Sequence, residues 1–217
     1  MKRLRIIGII FAILFVAALV FLLVQPKEPS FRGRTLSAWL VDAVPQINDM
    51  TNYRYAAFRQ ATANRAIKEI GTNAIPWLLK WMQATPSPLK DRLNLLLDKQ
   101  HVIQFRFEKF EWKQSKALYG FEILGGDALP AVPALLRLMQ SPDASLRDRA
   151  LDGLIDIDQG KKLLLPELRQ FLNDSDPVTQ IRTATYLHSW YPELSSNAGA
   201  ANIPAGAAIS TNRPAVK

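Results

Sequence analysis

The sequence contains no cysteine. Disulfides, thiolate metal sites and cysteine nucleophiles are therefore excluded. Histidine is nearly as scarce, with His101 and His188 far apart in the chain. Without cysteine or a third histidine, a classical zinc site is disfavoured. His188 falls near the apolar edge of the last expected helix, where a structural, hydrogen-bonded histidine is the simpler account. No G-x-S-x-G, H-E-x-x-H or kinase signature occurs. Gly125-Gly126 lacks the Lys-Ser/Thr that would make it a phosphate loop and reads as a helix stop. Asp156-x-Asp158-x-Gly160 with Glu167 is similar to a fragment of a calcium loop. Gly160, however, stands where a further oxygen ligand is needed, and Lys161 replaces the turn glycine. No catalytic residue, cofactor or metal ligand is assigned on these grounds. Acidic residues also lag behind basic ones, with 19 Asp and Glu against 27 Lys and Arg, a net charge of +8.

What is present is helical periodicity. Residues 124–157 read as two short helices joined at Ser141-Pro142-Asp143. The first is expected to open at Asp127, a residue type whose carboxylate can accept a first-turn amide. Pro130 then falls early enough to cost no intrahelical donor. Leu129, Val132, Leu135, Leu136 and Met139 make one apolar face, and Leu146, Ala150, Leu151, Leu154 and Ile157 make another. A hairpin this short cannot bury both faces alone.

The pattern recurs. A shift of 33 residues places Pro133 on Pro166, Leu135 on Leu168 and Leu154 on Leu187. Asp176-Pro177 opens a helix in that copy, an N-cap followed by proline at the first helical position. Upstream, residues 70–76 (IGTNAIP) match residues 124–130 (LGGDALP), with Asn73 standing where Asp127 does. Three copies of a helical hairpin predict an all-α chain folded as an α-solenoid. The G-x-x-A-x-P motif, and the turn followed by R-x-x-A at Arg147 and Ala150, resemble short HEAT repeats over residues 34–194. The resemblance implies stacked helical hairpins of HEAT/armadillo-like type. Its second helices would line a concave face. Ankyrin and tetratricopeptide signatures are absent.

One long apolar run precedes the repeats. Residues 6–24 are 19 uncharged residues behind the basic residues Lys2, Arg3 and Arg5. At 1.5 Å per residue they span roughly 28 Å, about one hydrocarbon core. Residues 1–25 are therefore expected to form a transmembrane signal anchor. The charge bias places the N-terminus in the cytoplasm and the repeats outside it, in the periplasm of a Gram-negative envelope. A cleaved signal peptide fits less well, because the run is long and no A-x-A-like site follows. The stretch FRGRTLSAWL is similar to the opening segment of membrane-tethered bacterial HEAT-repeat proteins.

Residues 26–33 then read as a linker, and 34–44 as a helix with Leu36, Trp39, Leu40 and Val44 on one face. A second helix runs to Ile70, with Phe58, Ala61, Ala66 and Ile67 inward. After the helix bearing Trp77, Leu78, Trp81 and Met82, another starts at Ser87-Pro88 with Leu89, Leu93, Leu96 and Leu97 in helical spacing. Roughly 21 residues are then extra relative to the 33-residue period. They centre on an insertion near 100–116, where Ile103, Phe105 and Phe107 alternate with polar residues in a strand-like period. The repeat resumes at Ser115 with Leu118, Phe121 and Leu124. The tryptophans fall mostly at core-like positions. Residues 195–217, small and polar, are expected to be disordered.

Cations exceed anions over residues 26–116, and the reverse holds over 117–194. A basic juxtamembrane half favours anionic headgroups; nucleic acid is disfavoured by the expected topology and by the lack of any nucleic-acid motif. Two candidate partner surfaces follow. One is the insertion, with Phe105, Arg106, Phe107, Lys109 and Phe110, which also reads as a loop packing its aromatics on the repeats. The other is the acidic stripe Asp148, Asp152 and Asp156, which also reads as a solvated face. The function expected is a non-catalytic, membrane-anchored scaffold binding a protein or peptide. The alternatives are an enzyme with a pocket between the repeats and the insertion, and a structural subunit of an envelope complex.

Overall fold

A computed structural model describes residues 27–44, 53–98 and 108–192. The anchor at 6–24, the Phe105–Phe107 part of the insertion and the tail at 195–217 lie outside the described residues. Among the described residues no helix is long and apolar enough to cross a membrane.

The described chain is mostly helical and begins with a clamp. β1 (Ser30–Phe31) and β2 (Arg34–Thr35) pair antiparallel, with Ser30 opposite Thr35. Arg32 and Gly33, both at positive φ, make the tight turn that matches the twist of the two strands. The hairpin is bolted onto α1 (Leu36–Ala43). Leu36 N–H donates to Pro29 O at 2.9 Å, and Trp39 Nε1 donates to Phe31 O at 3.1 Å. The Glu28 carboxylate takes the Ser37 amide and its hydroxyl, closing first-turn donors that no helix can satisfy internally. Arg34 lies 4.1 Å over the Trp39 ring and reaches Asp42 at 2.7 Å. Residues read as a linker are thus folded against the first helix, and that helix starts at Leu36.

α2 (Tyr53–Ile70) packs on α1 through Ala63, Ala66, Ile67 and Ile70. Phe58, expected inward, is 71% exposed, and Ala61 is exposed as well. The reason is length. An eight-residue helix spans about 12 Å and an 18-residue helix about 27 Å, so α1 covers only part of α2.

α3 (Ile75–Met82) and α6 (Val132–Leu138) share a local design. Each follows a 3₁₀ turn, Gly71–Ala74 and Gly125–Ala131, and each carries a proline in its first turn. Gly125 sits at φ 52° and ends the preceding helix as its sequence implies. Asn73 and Asp127 do not cap α-helices. They lie inside the 3₁₀ turns, and the α-helices begin two and five residues later without a side-chain cap. Leu129, in that tighter turn, is exposed rather than inward.

α4 (Pro88–Asp98) departs further from expectation. Leu89, Leu93 and Leu96 are exposed, together with Leu95. The place against α3 is taken instead by α5 (Phe110–Leu124), which also touches α1, α2 and α7 (Ala144–Asp158). α5 starts five residues before the expected Ser115, so Phe110 and Trp112 are helical. Its buried face comprises Lys116, Ala117, Gly120, Phe121 and Leu124.

α7 is capped by Asp143, which accepts from Ser145 N–H at 3.0 Å. α8 (Leu165–Gln170) runs into a 3₁₀ turn at Phe171–Asn173. α9 (Pro177–Trp190) opens as the sequence predicts, with Asp176 as cap and Pro177 first. Thr183 fills the position of Ala150 in the preceding copy. Its hydroxyl is satisfied by Thr179 O at 2.8 Å, so a polar group sits in the core without penalty.

Paired contacts join α1 to α2, α3 to α5, and α6 to α7, while α9 rests on the 171–173 turn. The later members touch in chain order, α2 to α5, α5 to α7 and α7 to α9, over one hydrophobic core.

The α3–α5 contact depends on Gly120. A Cβ there would lie 2.4 Å from Leu78 Cδ2, and Leu78 is fully buried. Gly120→Ala, which would stabilise an exposed helix, is expected to destabilise this one by about 1–3 kcal/mol through overpacking. Chemical denaturation measures it; an unchanged or raised midpoint contradicts the close approach.

Candidate functional site: a groove across four helices

A groove of about 800 Å³ runs across the later member of each helical pair. α2 contributes Gln60, Asn64, Arg65 and Lys68; α5 contributes Tyr119, Glu122 and Ile123. α7 contributes Ile155, Asp156 and Gln159, and α9 contributes Tyr186 and Trp190. Within each helix these positions are three or four apart, or adjacent to such a position. Each helix therefore offers one strip of its surface. Arg65 and Lys68 give the α2 side positive charge, while Glu122 and Asp156 give the α5 and α7 side negative charge. Tyr119, Ile123 and Ile155 supply apolar area along it, and Tyr186 and Trp190 make its α9 end aromatic. Asn64 Oδ1 is buried and has no hydrogen-bond partner among the described residues.

The α9 end of the groove is held by a buried carboxylate. Asp158 closes α7 and is fully buried. Its Oδ1 accepts from Leu164 N–H at 2.9 Å. Its Oδ2 accepts from Tyr186 OH at 2.7 Å and from Tyr191 OH. The tyrosine oxygens accept in turn from the loop, Tyr186 from Gly160 N–H at 2.9 Å and Tyr191 from Lys162 N–H at 2.8 Å. One carboxylate and two phenols thus order a loop that contains left-handed residues at Gln159, Gly160 and Lys162. Gln159, held there, donates through Nε2 to Glu122 O and ties α7 to α5. Trp190 is 56% exposed, yet one ring face lies on Gly160, where no Cβ could fit. An aromatic presented to solvent and braced from behind is pre-organised for contact, since little freedom is left to lose.

Burial, and secondly the bond to Asp158, push the Tyr186 hydroxyl far above the ordinary tyrosine range. Tyr191 is raised for the same reasons in the same order.

Of the acidic stripe, Asp156 alone lines the groove. Asp148 and Asp152 are half-buried and face Arg182 of α9, at 3.3 Å for Asp148. Arg147 reaches Asp176 across the same interface at 3.4 Å. Two of the three carboxylates therefore join helices. Lys109 and Phe110 sit at the start of α5 beside a different cavity, with Trp77, Lys80 and Lys113. Lys109 and Phe110, the described residues of that candidate surface, thus border a different cavity from Asp156. His188 is exposed rather than structural. Among the described residues no group of three His, Asp or Glu is placed to hold a metal.

Sequence reasoning met Asp158 only in a calcium-loop-like fragment and missed its structural role. Its spacing from Leu151 and Leu154 puts it on the apolar face of α7, opposite Asp148, Asp152 and Asp156. A carboxylate on an apolar face demands partners. That signal was legible, although the identity of the partners was not.

Tyr186→Phe removes one hydrogen bond to a buried carboxylate and the acceptor of Gly160 N–H, and is expected to cost about 1–3 kcal/mol. Because both tyrosines keep their protons more tightly when folded, the unfolded chain releases protons first, from about pH 10 upward. Stability is then complete below that pH and falls as pH rises beyond it. Urea titrations between pH 8 and 11 test this. A wild-type chain with a flat alkaline profile, or a Tyr186→Phe chain with the same slope, contradicts the assignment.

No protein-family model, curated protein or solved structure matches the chain.

Proposed function

We propose that the chain is a HEAT-like α-solenoid, tethered to a membrane by residues 6–24, that binds an extended protein segment in the groove of α2, α5, α7 and α9. The observation that carries this reading is the groove itself. Successive helices each contribute one strip to a single continuous surface, basic at α2, acidic at α5 and α7, and aromatic at α9. The ordered contacts between successive later helices support a solenoid. Four helices spaced by roughly 9 Å give a strip of roughly 27 Å, enough for about eight extended residues. Charged side chains of the segment would pair with Lys68 on one side and Asp156 on the other, fixing its direction. Rigid helices pay little to bind, so presentation at a fixed distance from the bilayer is the whole mechanism. The tether places the groove on the extracytoplasmic side, with envelope proteins as the search space.

The test uses native membranes. Photo-crosslinking residues at Tyr119 or Trp190 are expected to capture a discrete protein, while the same residue at the exposed Arg169 of α8 captures none. Lys68→Glu combined with Asp156→Lys should weaken capture roughly tenfold, the factor equivalent to 1.4 kcal/mol. No adduct at either groove position, or equal adducts at Arg169, refutes the groove. A protease acting on a C-terminal tag reads the side of the membrane. Cleavage before the inner membrane is dissolved, once the outer barrier is open, is the expected result; protection until then refutes the topology.

A further inference from the structure

The second cavity has a chemistry unlike the groove. It encloses about 520 Å³ between the end of α3, the 83–87 loop, and the starts of α4 and α5. Among the described residues, Lys80, Lys90, Lys109 and Lys113 border it, and Glu108 is the one acidic side chain there. Glu108 is already engaged by the buried Lys116, at 2.5 Å. That lysine also lies 5.2 Å from the Trp81 ring, so its own charge is doubly compensated. Lys113 is then within reach of the charges of Lys90, Lys116 and Lys80. Burial, and then the neighbouring Lys90, lower the Lys113 pKa, with Lys116 and Lys80 adding to the effect and Glu108 opposing it. Like charges confined together cost free energy that a bound anion would return.

The walls are built to hold one. Ser87 and Thr85 bring hydroxyl donors to the rim. The 83–87 loop is pinned to α5 by Gln114 Nε2, which donates to Ala84 O at 2.7 Å. The Lys80 ammonium sits 5.1 Å over the Trp77 ring, which holds it toward the cavity.

α4 connects this pocket to an apolar surface. Lys90 and Asn94, four apart, line the pocket. Leu89, Leu93 and Leu96 form a separate exposed stripe on the same helix, with Leu93 36% exposed and the other two more than 60%. A helix with lysine on one face and leucine on the next suits the boundary between headgroups and acyl chains.

We propose that the lysine-lined pocket binds the phosphate of an anionic phospholipid headgroup while the α4 leucines enter the adjoining acyl region. A soluble phosphate ester would satisfy the lysines but leave the leucines in water, and a protein helix would cover the leucines without needing four lysines. The lipid accounts for both features at once. This inference rests on the membrane tether proposed above and is independent of what the groove binds. It implies that the domain lies down on its own bilayer, through the face bearing α3, α4 and the start of α5.

The absence of cysteine makes the test clean. The full chain carrying Leu93→Cys is labelled with an environment-sensitive fluorophore and reconstituted into vesicles of zwitterionic lipid, with or without one-fifth phosphatidylglycerol, each containing a lipid-borne quencher. Flotation with both vesicle types reports the tether, and failure to float with either overturns the tether reading and this proposal with it. Given flotation, the probe is expected to be quenched in anionic vesicles and to remain in water in zwitterionic ones. A label at Val178→Cys, on exposed α9 surface, should stay in water in both. Lys80→Gln, Lys90→Gln and Lys113→Gln together are expected to weaken the anionic-lipid response about a hundredfold. Circular dichroism of that variant confirms that it folds. A probe in water on both vesicles overturns the proposal, as does equal quenching on both. A probe dried but not quenched by lipid means that protein covers the leucines, and also overturns it. Full release by 10 mM inorganic phosphate at constant ionic strength would identify a soluble anion as the ligand instead.

Discussion

A fully buried carboxylate governs the end of this domain. Asp158 has no place on an apolar helix face unless every oxygen is hydrogen-bonded, because an uncompensated buried charge costs several kcal/mol. Tyr186 near the end of α9, Tyr191 just beyond it and one loop amide supply what it needs. That demand determines more than its own neighbourhood. The same tyrosines hold the loop amides of Gly160 and Lys162, the loop aims Gln159 at α5, and the ordered glycine gives Trp190 a surface to lie on. One satisfied carboxylate thus shapes the aromatic end of the groove.

The remaining ties between helical pairs are of the same kind, polar links laid over apolar packing. Arg182 spans Asp148 and Asp152, Arg147 meets Asp176, and Arg149 donates to the final carbonyl of α3 at Met82, at 3.0 Å. Half-exposed ion pairs such as these contribute little to stability individually. Their value is geometric, since leucine faces alone tolerate sliding and a guanidinium between two carboxylates does not. Burial supplies the free energy, and these contacts set the register in which one strip per helix aligns into a groove.

The two cavities differ in chemistry. The groove on the later helices carries both signs of charge and aromatic surface, which suits a peptide with its own direction. The pocket at the start of α5 carries one sign of charge beside exposed leucine, which suits a bilayer. They share only α5 and open at its two ends, so in the proposed arrangement membrane contact and partner capture would not compete. α5 joins them, because Lys113 near its start borders one cavity and Tyr119 and Glu122 near its end border the other.

Local spacing was enough to establish the helical class, the Gly125 helix stop, the Asp176-Pro177 start and the apolar faces of α5 and α7. Each depends on residues within a turn or two of one another. The sequence also placed Asp156 on a candidate surface and marked Lys109 and Phe110 as unusual. Only the tertiary structure decided which helix lies against α3. Periodicity makes α4 and α5 equal candidates, and the residue that separates them is Gly120, whose missing Cβ admits Leu78. Only the tertiary structure turned Asp148 and Asp152 from a surface stripe into links to Arg182, folded residues 27–35 onto α1, and gave Asp158 its tyrosines. The physical reason is common to all of these. They are contacts between side chains distant in the chain, where the cost of burying charge or leaving space is settled by the partner, and helical periodicity carries no information about the partner.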